Sequence, residues 1–265
     1  MKKHFPTEFV YQVFSLLIAI IIVHAIYVAV VRPDARAFME QETRAIQADS
    51  TYVPERSLPV IIKDYEQEAC IILMFWAFSI LIYKAVIAHR QRQLLEKDFI
   101  LLSDDMRILP QDTPELSRRI QALPAAVQGF LLPRTLRTAL QRFAATKDIQ
   151  NVSTSVREIA DSEAERLESE LSIIRYIAWA IPSIGFIGTV RGIGDALGQA
   201  HKAVEGDITG VTQSLGVAFN STFIALVISI VLMFFIYQLQ LMQERLVLDT
   251  EYYCDEYLIR HLQVP

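Results

Sequence analysis

Apolar residues fall into four blocks, at roughly 9–31, 70–88, 173–197 and 215–239, with polar stretches between them. Each block approaches or exceeds the ~20 residues that a helix needs to cross about 30 Å of hydrocarbon. The pattern predicts an all-α polytopic membrane protein with four transmembrane helices. The first block is almost uniformly apolar, broken by Ser15 and His24, and reads as a helix that mainly meets lipid. The last two blocks are different: they carry small and hydroxylated residues where a lipid anchor would carry Leu, Ile and Val.

In a bilayer the hydrophobic effect does not drive helices together, so small residues mark close backbone approach or a surface turned away from lipid. Pro182, Gly185, Gly188, Thr189, Gly192 and Gly194 crowd the third block, and Ala218, Ser221, Thr222, Ala225 and Ser229 mark the fourth. Ala218, Thr222, Ala225 and Ser229 recur every three or four positions, which gives one small, partly polar stripe on a helix. Gly185, Gly188 or Thr189, and Gly192 do the same. Pro182 can kink its helix and free a carbonyl, which is tolerated at membrane depth beside a cavity. The third and fourth spans form a hairpin closed near 198–214. Thr189 and Thr222 lie almost equally far from its midpoint, which predicts two hydroxyls at one depth near mid-membrane.

From Ile149 a three-to-four rhythm (Val152, Val156, Ile159, Leu167, Leu171, Ile174) runs without a breaker into the third span. The fourth span continues equally smoothly into LQLMQERLVLDTEYYCDEYLIRHLQ. Both predict long cytoplasmic helical extensions. The acidic residues Asp161, Glu163, Glu165, Glu168 and Glu170 are expected on a solvated face. Pro110, Pro114, Pro124 and Pro133 suggest helical hairpins with proline-bearing turns.

Charge sets the orientation. Residues 89–170 hold twelve Lys and Arg, whereas 32–69 hold five against eight Asp and Glu. The positive-inside rule puts the N-terminus, 89–172 and 240–265 in the cytoplasm, and the 32–69 loop outside. The organisation is then a first span (1–31), an outer loop (32–69), a second span (70–88), a cytoplasmic helical region (89–172), a hairpin (173–239) and a terminal helix (240–265). MKKH, the apolar run and Ala35-Arg36-Ala37 could pass for a signal peptide, but about 23 apolar residues exceed a signal core; a retained anchor is expected. The net charge of −5 gives no reason to invoke nucleic acid. Cys70 and Cys254 lie at opposite faces, with no spacing that suggests a metal.

Candidate chemistry is sparse. His24 is expected as a neutral imidazole bonded to nearby backbone, with a proton-relay role as the alternative. Lys84, near the inner end of span two, is expected to snorkel to the headgroups. Arg191 and Asp195, toward the outer end of the third block, are spaced to pair on one helix face; an ion-attracting vestibule is the alternative. No Asp or Glu of the spans sits at the depth of Thr189 and Thr222. Ion translocation generally needs an ionisable relay, so a titrating carboxylate would come from another polypeptide. No nucleophile–base set, P-loop or H-E-x-x-H motif is present, and a self-contained enzyme is not indicated.

IPSIGFIGTVRGIGDAL resembles the proline followed by G-x-x-G-T-V-x-G-I in the second-last span of the MotA/TolQ/ExbB proton channel family. AFNSTFIALVISI resembles that family's last span, with Thr222 at the pore threonine position, and DTEYYCDEYLIRHLQ resembles its C-terminal helix. The resemblance implies a multi-pass protein of the bacterial inner membrane. Five copies would ring the transmembrane helices of two copies of a MotB-, TolR- or ExbD-like single-span partner that supplies the aspartate. Thr189 and Thr222, with Ser221 and Ser229, would line the ion path of a motor driven by the proton motive force. It implies no cofactor; the transported ion is H+, or Na+ in view of Ser221 beside Thr222. The extra first helix is MotA-like, the 32–69 loop is longer than that likeness suggests, and Arg191 takes a usually uncharged position. The competing reading is a non-conducting membrane scaffold, in which Pro182, Gly185, Gly188, Gly192, Ala218 and Ala225 serve packing alone.

Overall fold

The computed structural model describes residues 7–48, 57–96 and 107–264. The described residues are helical but for short connections and one isolated bridge between Ile108 and Leu262. Among the described residues four helical runs are long and apolar enough to cross a membrane, as the block pattern predicts. Two compact units emerge. The first takes in the chain up to Leu81 with Ile173–Ile236, and the second takes in Ile82–Ser172 with the chain from Tyr237 onward.

The first unit opens with α1 (Thr7–Ile26), a widened π-helical turn (Tyr27–Val31) and α2 (Arg32–Ala48). The widening has a local cause. Pro33 has no N–H for the carbonyl four residues back and its ring crowds that carbonyl; the Arg32 N–H reaches instead to the Tyr27 carbonyl, five residues back. Helix α3 (Leu58–Ile62) follows, and then α4 (Tyr65–Leu95). Much of the stretch expected as an outer loop is therefore helical, and the second long helix starts five residues before Cys70. Helix α9 (Ser172–Gly198), the short α10 (Ala200–Val204) and the long α11 (Thr209–Tyr257) build the hairpin.

The second unit holds α5 (Thr113–Gln121), α6 (Ala125–Gln128), α7 (Leu131–Thr146) and α8 (Ile149–Glu170). Prolines start these helices, as expected of residues whose missing N–H costs nothing in a first turn: Pro114 opens α5, and Pro124 caps α6. The Gln91 amide oxygen accepts from the Leu131 N–H at 3.0 Å, satisfying one free donor of α7. Asp148 caps α8 through the Gln150 N–H. A core of large side chains, including Leu136, Leu140, Phe143, Val152, Val156 and Leu258, closes this unit.

Two expectations about charge are corrected here. Lys84 does not snorkel: it is 4% exposed and bonds Glu170 at 2.8 Å. The acidic residues of α8 are not all on a solvated face either. Glu163 is buried between Arg134 (2.8 Å) and Arg166 (2.5 Å). For Lys84–Glu170 and Arg134–Glu163 the opposite charge comes from another helix, so a sequence window contains only half of each pair.

Candidate functional site

Small residues place α9 and α11 almost backbone to backbone. A Cβ on Gly185 would lie 2.5 Å from the Ala225 Cβ, one on Gly188 would lie 2.5 Å from the Ser221 Cβ, and one on Gly192 would lie 2.7 Å from the Ala218 nitrogen. Three glycine-lined rungs, the middle one facing Ser221, thus fix an antiparallel register. Gly194 has open space around it, so it takes no part in that approach.

Within this seam the Thr189 and Thr222 hydroxyls bond each other. Thr189 Oγ1 also lies 3.1 Å from the Ala218 carbonyl and 3.3 Å from that of Gly185, and Thr222 Oγ1 lies 3.2 Å from the Gly185 carbonyl. Two hydroxyl protons therefore face more acceptors than they can serve at once. Either hydroxyl can turn outward while a carbonyl keeps a donor from the other. Both threonines are half-buried rather than sealed. No carboxylate among the described residues hydrogen-bonds either hydroxyl.

The other hydroxyls are engaged inside the fold. Pro182 deprives the Ala178 carbonyl of its helical donor, and the Ser229 hydroxyl donates to that carbonyl at 3.0 Å. Ser221 is 1% exposed; it donates to the Val217 carbonyl at 2.9 Å and accepts from Gln67 Nε2 at 3.2 Å.

The first turn of α4 supplies what the sequence reading missed. Arg191 pairs with Glu66, through Nε at 2.7 Å and a terminal nitrogen at 2.8 Å, whereas Asp195 stands at 4.0 Å. The expected pairing on one helix is the weaker contact, because a two-pronged carboxylate matches the guanidinium fork from the neighbouring helix. His24 likewise bonds no backbone carbonyl: its Nδ1 lies 2.7 Å from Glu68, which also binds Arg32. The Glu66 side chain also packs on Gly188, the residue before Thr189: its Cγ would lie 3.2 Å from a Cβ there.

Just ahead of it, Asp64 keeps one buried carboxylate oxygen without a hydrogen-bond partner among the described residues. Burial pushes its carboxyl above the ordinary aspartate range, against the pull of Lys63 and Arg191. Among the described residues no His, Cys, Asp or Glu side chains gather in threes for a metal ion.

Residues 130–252, which contain the whole α9–α11 seam, match the model of the MotA/TolQ/ExbB proton channel family. Over that segment the chain is similar to the MotA/TolQ/ExbB proton channel family. The match leaves out α1 to α4, and with them Glu66, Gln67 and Glu68. No curated protein matches the chain, and no solved structure does. The match, together with four helical runs among the described residues that are long and apolar enough to cross a membrane, supports a multi-pass membrane protein.

Proposed function

We propose that the chain is the channel-forming subunit of an ion-driven motor in the bacterial inner membrane. Five copies surround the transmembrane helices of a dimeric, single-span partner of the MotB, TolR or ExbD type, and both ends of the chain lie in the cytoplasm. The observation that carries this reading is the Thr189–Thr222 hydroxyl pair, which the α9–α11 seam holds together with no carboxylate among the described residues bonded to it.

The chemistry follows from the hydroxyl. It can donate to a companion carboxylate and accept from the same group once protonated. The spare carbonyl acceptors of Gly185 and Ala218 let the pair exchange these roles without leaving a donor unserved. A carboxyl group passing along such a pair finds a partner in both protonation states, which lowers the cost of carrying its charge through hydrocarbon. Transfer down the membrane potential supplies about 2.3 kcal/mol per charge per 100 mV, so substantial mechanical work draws on several charges. Protons are the favoured ion, because the Ser221 oxygen that suggests sodium already accepts from Gln67.

Thr222→Val keeps the shape and removes the hydroxyl. In the complex recovered from its native membrane and reconstituted in vesicles, this variant should assemble normally and lose proton flux by at least about tenfold. Wild-type flux in an assembled Thr222→Val complex would overturn the reading. The scaffold alternative draws on the internal engagement of Ser221 and Ser229; it expects Thr222→Val to be neutral and no response to membrane potential.

A further inference from the structure

Three consecutive residues at the start of α4 bond four different helices. Glu66 takes both prongs of Arg191 from α9, Gln67 donates to Ser221 of α11, and Glu68 binds His24 of α1 together with Arg32 of α2. Successive helix residues point about 100° apart, so one turn can serve four neighbours only when it stands among all of them. Gln67 is fully buried. A primary amide in so apolar a place is costly unless bonded. The orientation of its amide is fixed: Nε2 also lies 3.2 Å from the Ile61 carbonyl, which can only accept.

Ser221 is the residue before Thr222, and Gly188, against which it packs, is the residue before Thr189. The bond from Gln67 therefore ends one residue away from the hydroxyl pair on both helices. Ser221 gives its own proton to Val217, so Gln67 fills the lone-pair side of its oxygen. An oxygen that faces an N–H donor is a poor ligand for a cation.

We infer that Gln67 is a positioning residue for ion transfer at Thr189–Thr222: it holds Ser221, and with it the rotation of α11 that aims the Thr222 hydroxyl, and keeps the Ser221 oxygen from acting as a cation ligand. The inference rests on the reading of the threonine pair given above. Glu66 and Glu68 anchor the same turn to Arg191 and to the first helix, so the part of the chain outside the family match bears directly on the family's seam.

The test uses the reconstituted native complex with Gln67→Leu, Ser221→Ala, the double variant and Thr222→Val side by side, with proton flux read against pH. Gln67→Leu should lower flux about tenfold. It should also move the flux midpoint to higher pH, since a misaimed hydroxyl no longer favours the charged form of the companion acid. A merely structural defect would lower yield without moving that midpoint. Ser221→Ala, a smaller change that spares the apolar packing, should shift the midpoint the same way. The double variant should be no worse than Gln67→Leu, because both act through one bond. Where Gln67→Leu fails to assemble, the Ser221→Ala midpoint decides: a wild-type value overturns the inference. So does wild-type behaviour of Gln67→Leu, or effects that multiply in the double variant. If Thr222→Val is silent and Gln67→Leu conducts normally, this inference falls alone; if Thr222→Val conducts normally, both readings fall.

Discussion

The two units are built on opposite packing rules. The second closes over Phe143, Leu136, Leu140 and Val152, all with negligible exposure, and draws its ion pairs around that core. The first turns much of its bulk outward: Phe14, Ile21, Phe186, Val190, Phe219 and Ile230 are exposed, and Gly185, Gly188, Gly192, Ala218 and Ala225 are inside. Water rewards burying large apolar side chains. Lipid does not, and helices there gain from close backbone approach and from hydrogen bonds. One chain follows both rules, each where its solvent imposes it.

The sharpest way to break this contrast is Phe143→Ala. Emptying a fully buried aromatic site costs about 3–5 kcal/mol. The variant should lose protease resistance across residues 113–146 in detergent. Fluorescence of Trp76 and Trp179, both in the first unit, should stay unchanged at the same temperature. Loss of the tryptophan signal together with protease resistance would show that the two units do not stand on separate cores.

Next in size is a matched pair of glycine substitutions. Gly192→Ala drives a Cβ to 2.7 Å from the Ala218 nitrogen and the Ser214 carbonyl oxygen. Backbone atoms cannot swing aside, so a cost of about 1–3 kcal/mol is expected, as for overpacking. Gly194→Ala, two residues on, meets nothing within 4 Å. It should be neutral or stabilising by up to ~1 kcal/mol, since alanine loses less backbone freedom in a helix. Unfolding of the purified protein in graded SDS measures both, and equal effects would mean that the seam is not set by small residues.

The smallest effect expected is at Asp64. Its carboxyl is raised by burial, so the ionised form costs stability above the raised value and nothing below the unfolded aspartate value of about 3.9. Asp64→Asn should therefore be modestly more heat-stable at pH 7, with the gain fading as pH falls toward 4. A gain that persists unchanged at pH 4 would assign the effect to something other than charge.

The hairpin was readable because its signal is local. Glycines and hydroxyls at three- and four-residue spacing fall on one face of any helix, and the equal distances of Thr189 and Thr222 from the turn brought them level. The turn at Glu66-Gln67-Glu68 was not readable by the same means. Three charged or amide residues depress any hydropathy window, and they look like loop until their partners are known. His24 and Arg191 were misjudged for that reason: a search along the chain finds a backbone carbonyl or an Asp four residues away, while the actual partners lie 44 and 125 positions off.

By itself the sequence determined what each stretch dissolves in: four lengths of apolar helix, a water-facing unit between and after them, and two small-residue stripes. Those are properties of residue type and period, which the helix repeat converts directly into faces. Only the tertiary structure decided which buried polar group meets which. Ser229 serves the carbonyl that Pro182 releases, Gln67 holds Ser221, and Glu66 and Glu68 take Arg191, Arg32 and His24. A polar group inside an apolar region is tolerated only where a complementary group reaches it, and that reach is set by the packing of whole helices.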